Sequence, residues 1–350
     1  MTALRVMTWN MENLFLPAEE GGTDDESVFQ RKLAALAAVI DQEAPDVLAL
    51  QEIGSGGALT ALQNRLSRPM PHAAVGDPDG RRIRVAVLSM LAFTSTAKHR
   101  AFPDTLRPIQ FRDLAFDDPA TTADEAAISQ MGRGALEVTV EVDGTPVTVL
   151  TAHFKSKLIN YPNLPGAGGG SRFSPRDEGE RHRYAGYAVN LRTAEAMTVC
   201  ARLDQLLDNP ADPRDGTGRD TAVVFCGDLN DEVEAATTQI VTGPGGSEID
   251  LRPGSGVGRP DRGDGHRMWN LAPLLPAAPD GTPAFTRVFK GRGELIDHIF
   301  ASHRLVNPQR LPTAHTVQTA RPLPSVDETP TSRRDEPGSD HAAVVATFDV

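Results

Sequence analysis

Asn10, Glu52, His153, Asp228 with Asn230, Asp297 with His298, and Asp340 with His341 share one trait. Each stands at or beside the end of a strand-like stretch: "LRVMTW", "DVLALQE", "PVTVLTAHF", "TAVVFCGDLND", "ELIDHIFAS" and "AAVVATF". In open parallel sheets, ligands bind outside the carboxyl ends of the strands. These stretches imply mixed sheets, so the rule is only a guide. Oxygen-rich residues gathered at one rim suit a hard dication such as magnesium, which takes one or two carboxylates and keeps several waters. Zinc would require local clusters of His and Cys, and the chain has none.

The elements that must carry these residues follow from hydrophobic spacing. "SVFQRKLAALAAVIDQ" predicts a helix, with Phe29, Leu33, Leu36 and Ile40 on one face and Pro45 as its stop. Ser27 and Gln30 fit a capping box at its start. "DVLALQE" is almost continuously apolar, as a strand buried on both faces is. "IRVAVLS" predicts another strand. "ALEVTVEV" and "PVTVLTAHF" flank Asp143-Gly144, a hairpin signal. A long helix is expected from Glu178 to about Leu207, with Tyr184, Ala188, Leu191 and Glu195 on one side and Val199, Leu203 and Leu206 continuing inward. Residues 160 to 177, 243 to 266 and 320 to 338 are rich in Gly or Pro and are expected to be loops. No repeat or clean linker divides the chain, so one domain over residues 1–350 is expected.

Composition narrows the classes. Of 350 residues, 39% are hydrophobic and 23% charged, as in a soluble globular protein. No apolar run approaches the ~18 residues of a membrane span. The N-terminus passes straight into a strand with no signal peptide visible, although a chain trimmed of its leader would look the same. Cys200 and Cys226 are too few for a disulfide framework, and a reducing, cytoplasmic compartment is expected. The net charge of -12 argues against a protein that coats nucleic acid. It is compatible with an enzyme that meets phosphate through metal ions.

The motifs "MTWNMENL", "DVLALQEI", "TAHFKSK", "CGDLND", "ELIDHIFAS" and "GSDHAAV" resemble, in order and over residues 4 to 349, those of the endonuclease/exonuclease/phosphatase superfamily with its deoxyribonuclease I-like fold. The resemblance implies a four-layer α/β/β/α sandwich, two packed mixed sheets flanked by helices. It implies a magnesium or manganese ion held by Glu52, with Asn10 beside it and Asp340 completing the metal region. Asp228 and Asn230 would position the attacking water and bind the scissile phosphate. His341 would be the general base or a phosphate contact, with Asp297 fixing its tautomer. His153 would face the phosphate from the other side, and Arg133 and Lys155 would contact phosphate. An additional Glu orients the equivalent of His153 in some relatives, and the sequence does not reveal one here. The chemistry implied is hydrolysis of a phosphodiester, whose negative charge a metal ion offsets. "HFKSK" is similar to bacterial nuclease members, which points to a DNA endonuclease. A hydrolase of a small or lipid phosphoester, or a binding module that has kept the fold, are the alternatives.

Simpler readings stand beside these. Asn10 alone could cap a turn, and Glu52 could be a solvated strand end. Asp228 and Asn230 could form an Asx-turn capping a helix from Asp231. Neighbours in a strand face opposite ways, so His298 is expected to be structural. Lys155, Lys157, Arg172, Arg176, Arg181 and Arg183 could be a phosphate-binding rim or a solvated face interleaved with Asp177, Glu178 and Glu180. Trp269 and Phe285 are expected to pack rather than stack on bases.

Overall fold

Apolar residues alternate along the first strand: Leu4 and Val6 face one way, Met7 and Trp9 the other, and all four are buried. A strand buried on both faces must lie in a sheet covered on both sides. The computed structural model shows how. It describes residues 2–113, 122, 126–161, 173–208, 220–244, 265–278, 280–306, 311–317, 323 and 337–350.

The first half of the chain runs β1 (Ala3–Leu14), α1 (Glu26–Glu43), β2 (Val47–Ile53), α2 (Gly56–Gln63), β3 (His72–Val75), β4 (Arg84–Ser89), β5 (Phe93–Ala101), β6 (Ile109–Gln110), β7 (Ala127–Ile128), β8 (Gln130–Val142) and β9 (Thr145–His153). It continues with α3 (Glu178–Leu207), β10 (Ala222–Asp228), α4 (Ala236–Thr242), β11 (Met268–Asn270), β12 (Arg287–Phe289), β13 (Arg292–Glu294), β14 (Asp297–Ser302), β15 (Thr313–Thr316) and β16 (Val344–Asp349). Two six-stranded mixed sheets result, in the orders β15-β16-β1-β2-β4-β3 and β11-β14-β10-β9-β8-β5.

The sheets pack face to face through a layer that includes Val6, Val47, Val87, Val138, Val149 and Val224. Trp9, Leu48 and Leu88 on the outer face of the first sheet meet Phe29, Leu33 and Leu36 of α1. Leu150, Phe225 and Phe300 on the outer face of the second meet Leu191, Val199 and Leu203 of α3. This is the α/β/β/α sandwich. No helix among the described residues is long and apolar enough to cross a membrane.

Local details correct several expectations. Helix α1 is capped by Asp25, whose carboxylate accepts from the Ser27 N–H at 2.7 Å. Ser27 therefore lies inside the first turn rather than at the cap. No helix begins at Asp231; the next one starts at Ala236. "ELIDHIFAS" is divided between β13 and β14, because Glu294 closes a hairpin with Arg287 while Asp297 pairs with Asp228. Most of the three expected loops, including Arg172, lies outside the described residues.

Candidate active site

Strand register places the first part of the site. In the second sheet Asp228 is paired with His153 on one side and Asp297 on the other. These three residues thus form a row across adjacent strand ends. In the first sheet the ladder of β1 and β2 shifts between Asn10 and Leu14, and that of β2 and β4 between Leu50 and Ile53. Such irregularities re-aim side chains next to active sites. Glu12, Asn13 and Glu52 there have φ of 49°, 55° and 61°, values uncommon for residues other than glycine.

The irregular turn after Asn10 gathers the remaining acids. The Glu12 N–H donates to Asn10 Oδ1, and the Asn13 N–H to Glu52 Oε2, each at 2.9 Å. The Asp340 N–H donates to Glu12 Oε2 at 2.9 Å. Glu52 and Asp340, 288 positions apart in the chain, are thus tied to adjacent residues of one turn. Asn10 Nδ2 donates to Asp228 Oδ2 at 2.9 Å and joins the two sheets. Deeper between the sheets, Gln51 Nε2 donates to Thr8 and Thr151, each at 3.1 Å.

His341 completes the row. Its Nδ1 meets Asp297 Oδ2 at 2.7 Å, and its Nε2 lies 4.0 Å from Asp228 Oδ2 and 4.0 Å from Asp340 Oδ1. Its carbonyl accepts from Trp9 Nε1 at 2.8 Å. Burial disfavours the imidazolium, but Asp297, Asp340 and Asp228 together outweigh it and push the His341 pKa up to about 10. Burial and the charge of Asp297 push Asp228 up to about 7, against the pull of His341, Asn10 and the Asn230 N–H.

On the other flank, His153 Nε2 lies 3.4 Å from Asp228 Oδ2. Burial, followed by the charge of Arg133, holds this ring well below its usual pKa. Arg133 is buried; it pairs with Asp79 at 3.1 Å and donates to the carbonyls of His153 and Phe154. Lys155 Nζ donates to the carbonyls of Ser156 and Leu158, and burial together with Arg133 brings its pKa down to about 8. The Asn230 N–H closes an Asx-turn onto Asp228 Oδ1 at 2.8 Å, and its Nδ2 donates to Phe154 O at 3.1 Å. His298 faces away and binds Asp231 O, the structural role expected of it.

Asp228, Asp297 and His341 offer ligand atoms within 4.8 Å of one another, a candidate metal-binding set. Two carboxylates and one imidazole, with the carboxylates of Glu52 and Asp340 close by, make an oxygen-rich donor set that suits a hard dication. Two buried carboxylates, Asp228 and Asp297, face each other, and Asp297 Oδ1 is buried without a hydrogen-bond partner. A cation relieves both costs.

A model of the endonuclease/exonuclease/phosphatase family matches residues 7–341. The chain belongs to that family. Its members' fold recurs in the human Nocturnin catalytic domain with bound sulfate (15% identity, 99% of this chain and 94% of that one, TM-score 0.54). It recurs in D. rerio TDP2 complexed with a single-strand DNA product (14%, 100% of both chains, 0.52) and in beta toxin from Staphylococcus aureus (13%, 98% and 99%, 0.52). At these identities the likeness is one of fold. No curated protein sequence matches the chain. Family membership and the acid-rich site together make this chain a metal-dependent phosphoesterase.

Several contributors escaped the sequence reading. Glu195 and Arg192 of α3 grip the loop after His153. Arg81 reaches Asn13 Oδ1 at 3.2 Å. The signal for Glu195 was present, since a carboxylate stands on the helix face shared by Tyr184, Ala188 and Leu191. Much of the basic stretch is indeed paired with acids: Arg176 with Glu180, Arg181 with Glu178, Arg183 with Asp113. Trp269 packs, with its Nε1 on His303 Nδ1 at 3.3 Å.

Proposed function

We propose that this phosphoesterase is a magnesium- or manganese-dependent phosphodiesterase that cleaves DNA internally. The observation favouring a nucleic acid is the hairpin of β12 and β13. Arg287 of this hairpin bridges to His341, and the Ala342 N–H donates to Thr286 O at 2.7 Å. At its tip Phe289 is exposed, with the Arg287 guanidinium 5.7 Å and the Lys290 ammonium 5.5 Å from the ring centroid. An exposed ring can stack on any base, and the Lys290 ammonium beside it can meet a phosphate, whereas Arg287 is held by Glu294 at 2.7 Å. A neighbour in fold was solved with a single-strand DNA product, which supports the same direction.

In this reading Glu52, Asn10 and Asp340 would hold the ion, and the neighbouring cluster of Asp228, Asp297 and His341 would not ligate it but would serve as water-positioning acid, orienting acid and base. When bound, the ion polarises the phosphoryl oxygen and stabilises the leaving oxygen. Asp228 and Asn230 orient water and phosphate. Without the ion, the carboxylates of Asp297, Asp340 and Asp228 favour the His341 imidazolium and raise its pKa to about 10. The role left to His341 is that of general base: with a dication offsetting those charges the neutral ring would accept the proton of the attacking water at Nε2, and Asp297 would hold it in the tautomer with Nδ1–H. His153, Arg133 and Lys155 supply the neutral donor and the positive field on the far side of the phosphate.

The test is nicking of supercoiled plasmid with magnesium or manganese, with and without chelator. Metal-dependent nicking is expected. Phe289→Ala is expected to slow nicking by about 5- to 100-fold, the worth of one stacked base, and to leave bis-p-nitrophenyl phosphate hydrolysis within about twofold. Turnover of the small diester without nicking would shift the assignment to a small-molecule or lipid phosphoesterase.

A further inference from the structure

We propose that Glu195, with Arg192 one turn before it, is a positioning residue that aims His153 by holding the main chain on which it stands. The proposal rests on the reading of His153 as a phosphate-side group.

The His153 ring is held loosely for a buried group. Its Nε2 lies 3.4 Å from Asp228, and its Nδ1 is buried with no hydrogen-bond partner. A catalytic imidazole is commonly oriented through its second nitrogen. The backbone around His153 is held far more completely. The ladder of β8 and β9 ends at Ala135 and Ala152. Continued by three residues, that register would oppose Gly132 to Lys155. Instead the strands part, and two side chains serve the backbone groups left over. Arg133 donates to the carbonyls of His153 and Phe154 at 3.5 and 3.2 Å. Glu195, only 1% exposed, takes the N–H groups: Oε1 from Gly132 at 3.1 Å and Oε2 from Lys155 at 2.6 Å.

Arg192 then takes the Lys155 carbonyl at 3.1 Å while its Nε binds Asp231 Oδ2 at 2.7 Å. Both backbone groups of Lys155 are therefore gripped by one helix. That helix also holds the turn carrying Asp228 and Asn230. Phe154, between the grip and His153, donates to Asp228 O at 2.9 Å. Burial raises the Glu195 pKa, and the N–H bonds it accepts, with the charges of Arg133 and Lys155, oppose that rise. It accepts two such bonds, both from residues adjoining the phosphate-side set. A methyl-bearing or amide side chain cannot replace it. Alanine leaves both N–H groups without an acceptor, and glutamine turns its NH2 against one of them.

A misplacement of about 1 Å can cost about 10²-fold in rate. Glu195→Ala is expected to lower kcat on bis-p-nitrophenyl phosphate by about that factor, with KM within about threefold. Glu195→Gln should fall between Ala and wild type. In proton NMR the Cε1–H signal of His153, assigned by its loss in His153→Ala, is expected to be single and sharp in the wild type. It should shift or broaden in both Glu195 variants. Circular dichroism confirms folding; should Glu195→Ala fail to fold, Glu195→Gln carries the test. A folded Glu195→Gln with an unmoved His153 signal and wild-type kcat overturns the proposal and leaves Glu195 a purely structural residue. A fully active His153→Ala sinks the reading of His153 instead, an outcome separable from the first.

Discussion

Asp297→Asn isolates the dyad with His341. The carboxylate is fully buried, with Oδ2 2.7 Å from Nδ1 of the ring and its own N–H on Thr286 Oγ1 at 3.2 Å. Asparagine has nearly the same shape. Its oxygen can still accept from Nδ1–H, and its NH2 then points where Oδ1 lacks a partner. The substitution therefore removes charge while leaving packing intact. Two charges about 4 Å apart at an effective dielectric of about 20 attract by about 4 kcal/mol. A neutral hydrogen bond retains about 1 kcal/mol of this. The difference, about 3 kcal/mol, is stabilisation lost when the ring becomes imidazolium in the transition state, or about 10²-fold in kcat.

The sign of the pH effect follows. Asp297 is the foremost of the carboxylates that raise the His341 pKa. Its neutralisation lowers that pKa, so the limb of the kcat–pH profile governed by His341 moves to lower pH. The assay is steady-state hydrolysis of bis-p-nitrophenyl phosphate with saturating manganese across pH 5.5 to 9.5. A variant within threefold of wild type at every pH, with an unmoved profile, would refute the assignment of His341 as an Asp297-oriented base.

Glu52→Gln should weaken manganese binding at least about tenfold by calorimetry without changing the circular dichroism spectrum; unaltered affinity would remove Glu52 from the metal set. Metal binding should release protons at pH 7, because a dication beside Asp228 and His341 lowers pKa values that their surroundings hold at about 7 and about 10. Binding heats should then vary with the ionisation enthalpy of the buffer and affinity should rise with pH, whereas buffer-independent heats would contradict the raised values. Asn10→Ala leaves Asp228 Oδ2 and the Glu12 N–H without their partners. It should cost about 1–3 kcal/mol in urea denaturation; unchanged stability would show that water replaces the amide at no cost.

Strong periodicity made α1, α3, β2 and β9 legible, because a helix or strand with an apolar face must bury it. The termini of α3 fell at the expected residues, where Asp177 caps the Glu180 N–H. Strand β5 was not legible: Thr94, Ser95, Thr96, Lys98 and Arg100 leave it polar, and its pairing with β8 comes from tertiary contact. Strand β12 falls within "AFTRVF", an apolar stretch legible as a strand, but its hairpin partner β13 was hidden, since the three residues of "RGE" carry no strand pattern. In the site, acids and histidines at strand ends could be read from their position. Glu195 showed only as a carboxylate on an apolar helix face, and its partners, like those of Arg192 and Arg81, could not be read because they lie far away in sequence.

The site is assembled from both sheets, which couples its chemistry to the packing of the sandwich. Asn10, Glu52 and Asp340 belong to the rim of the first sheet; His153, Asp228 and Asp297 belong to the second. The bond from Asn10 to Asp228 crosses between them, and so does the bond from Gln51 to Thr151, while Gln51 also bonds Thr8 within its own sheet. Apolar contact fixes the spacing of the sheets but tolerates sliding, because the hydrophobic effect is non-directional. Directional bonds from a buried glutamine do not tolerate it, since a slide would leave an amide unpaired at the cost of a buried polar group. The polar link in an otherwise aliphatic interface therefore sets the register in which Asn10 and His341 of one sheet meet Asp228 and Asp297 of the other.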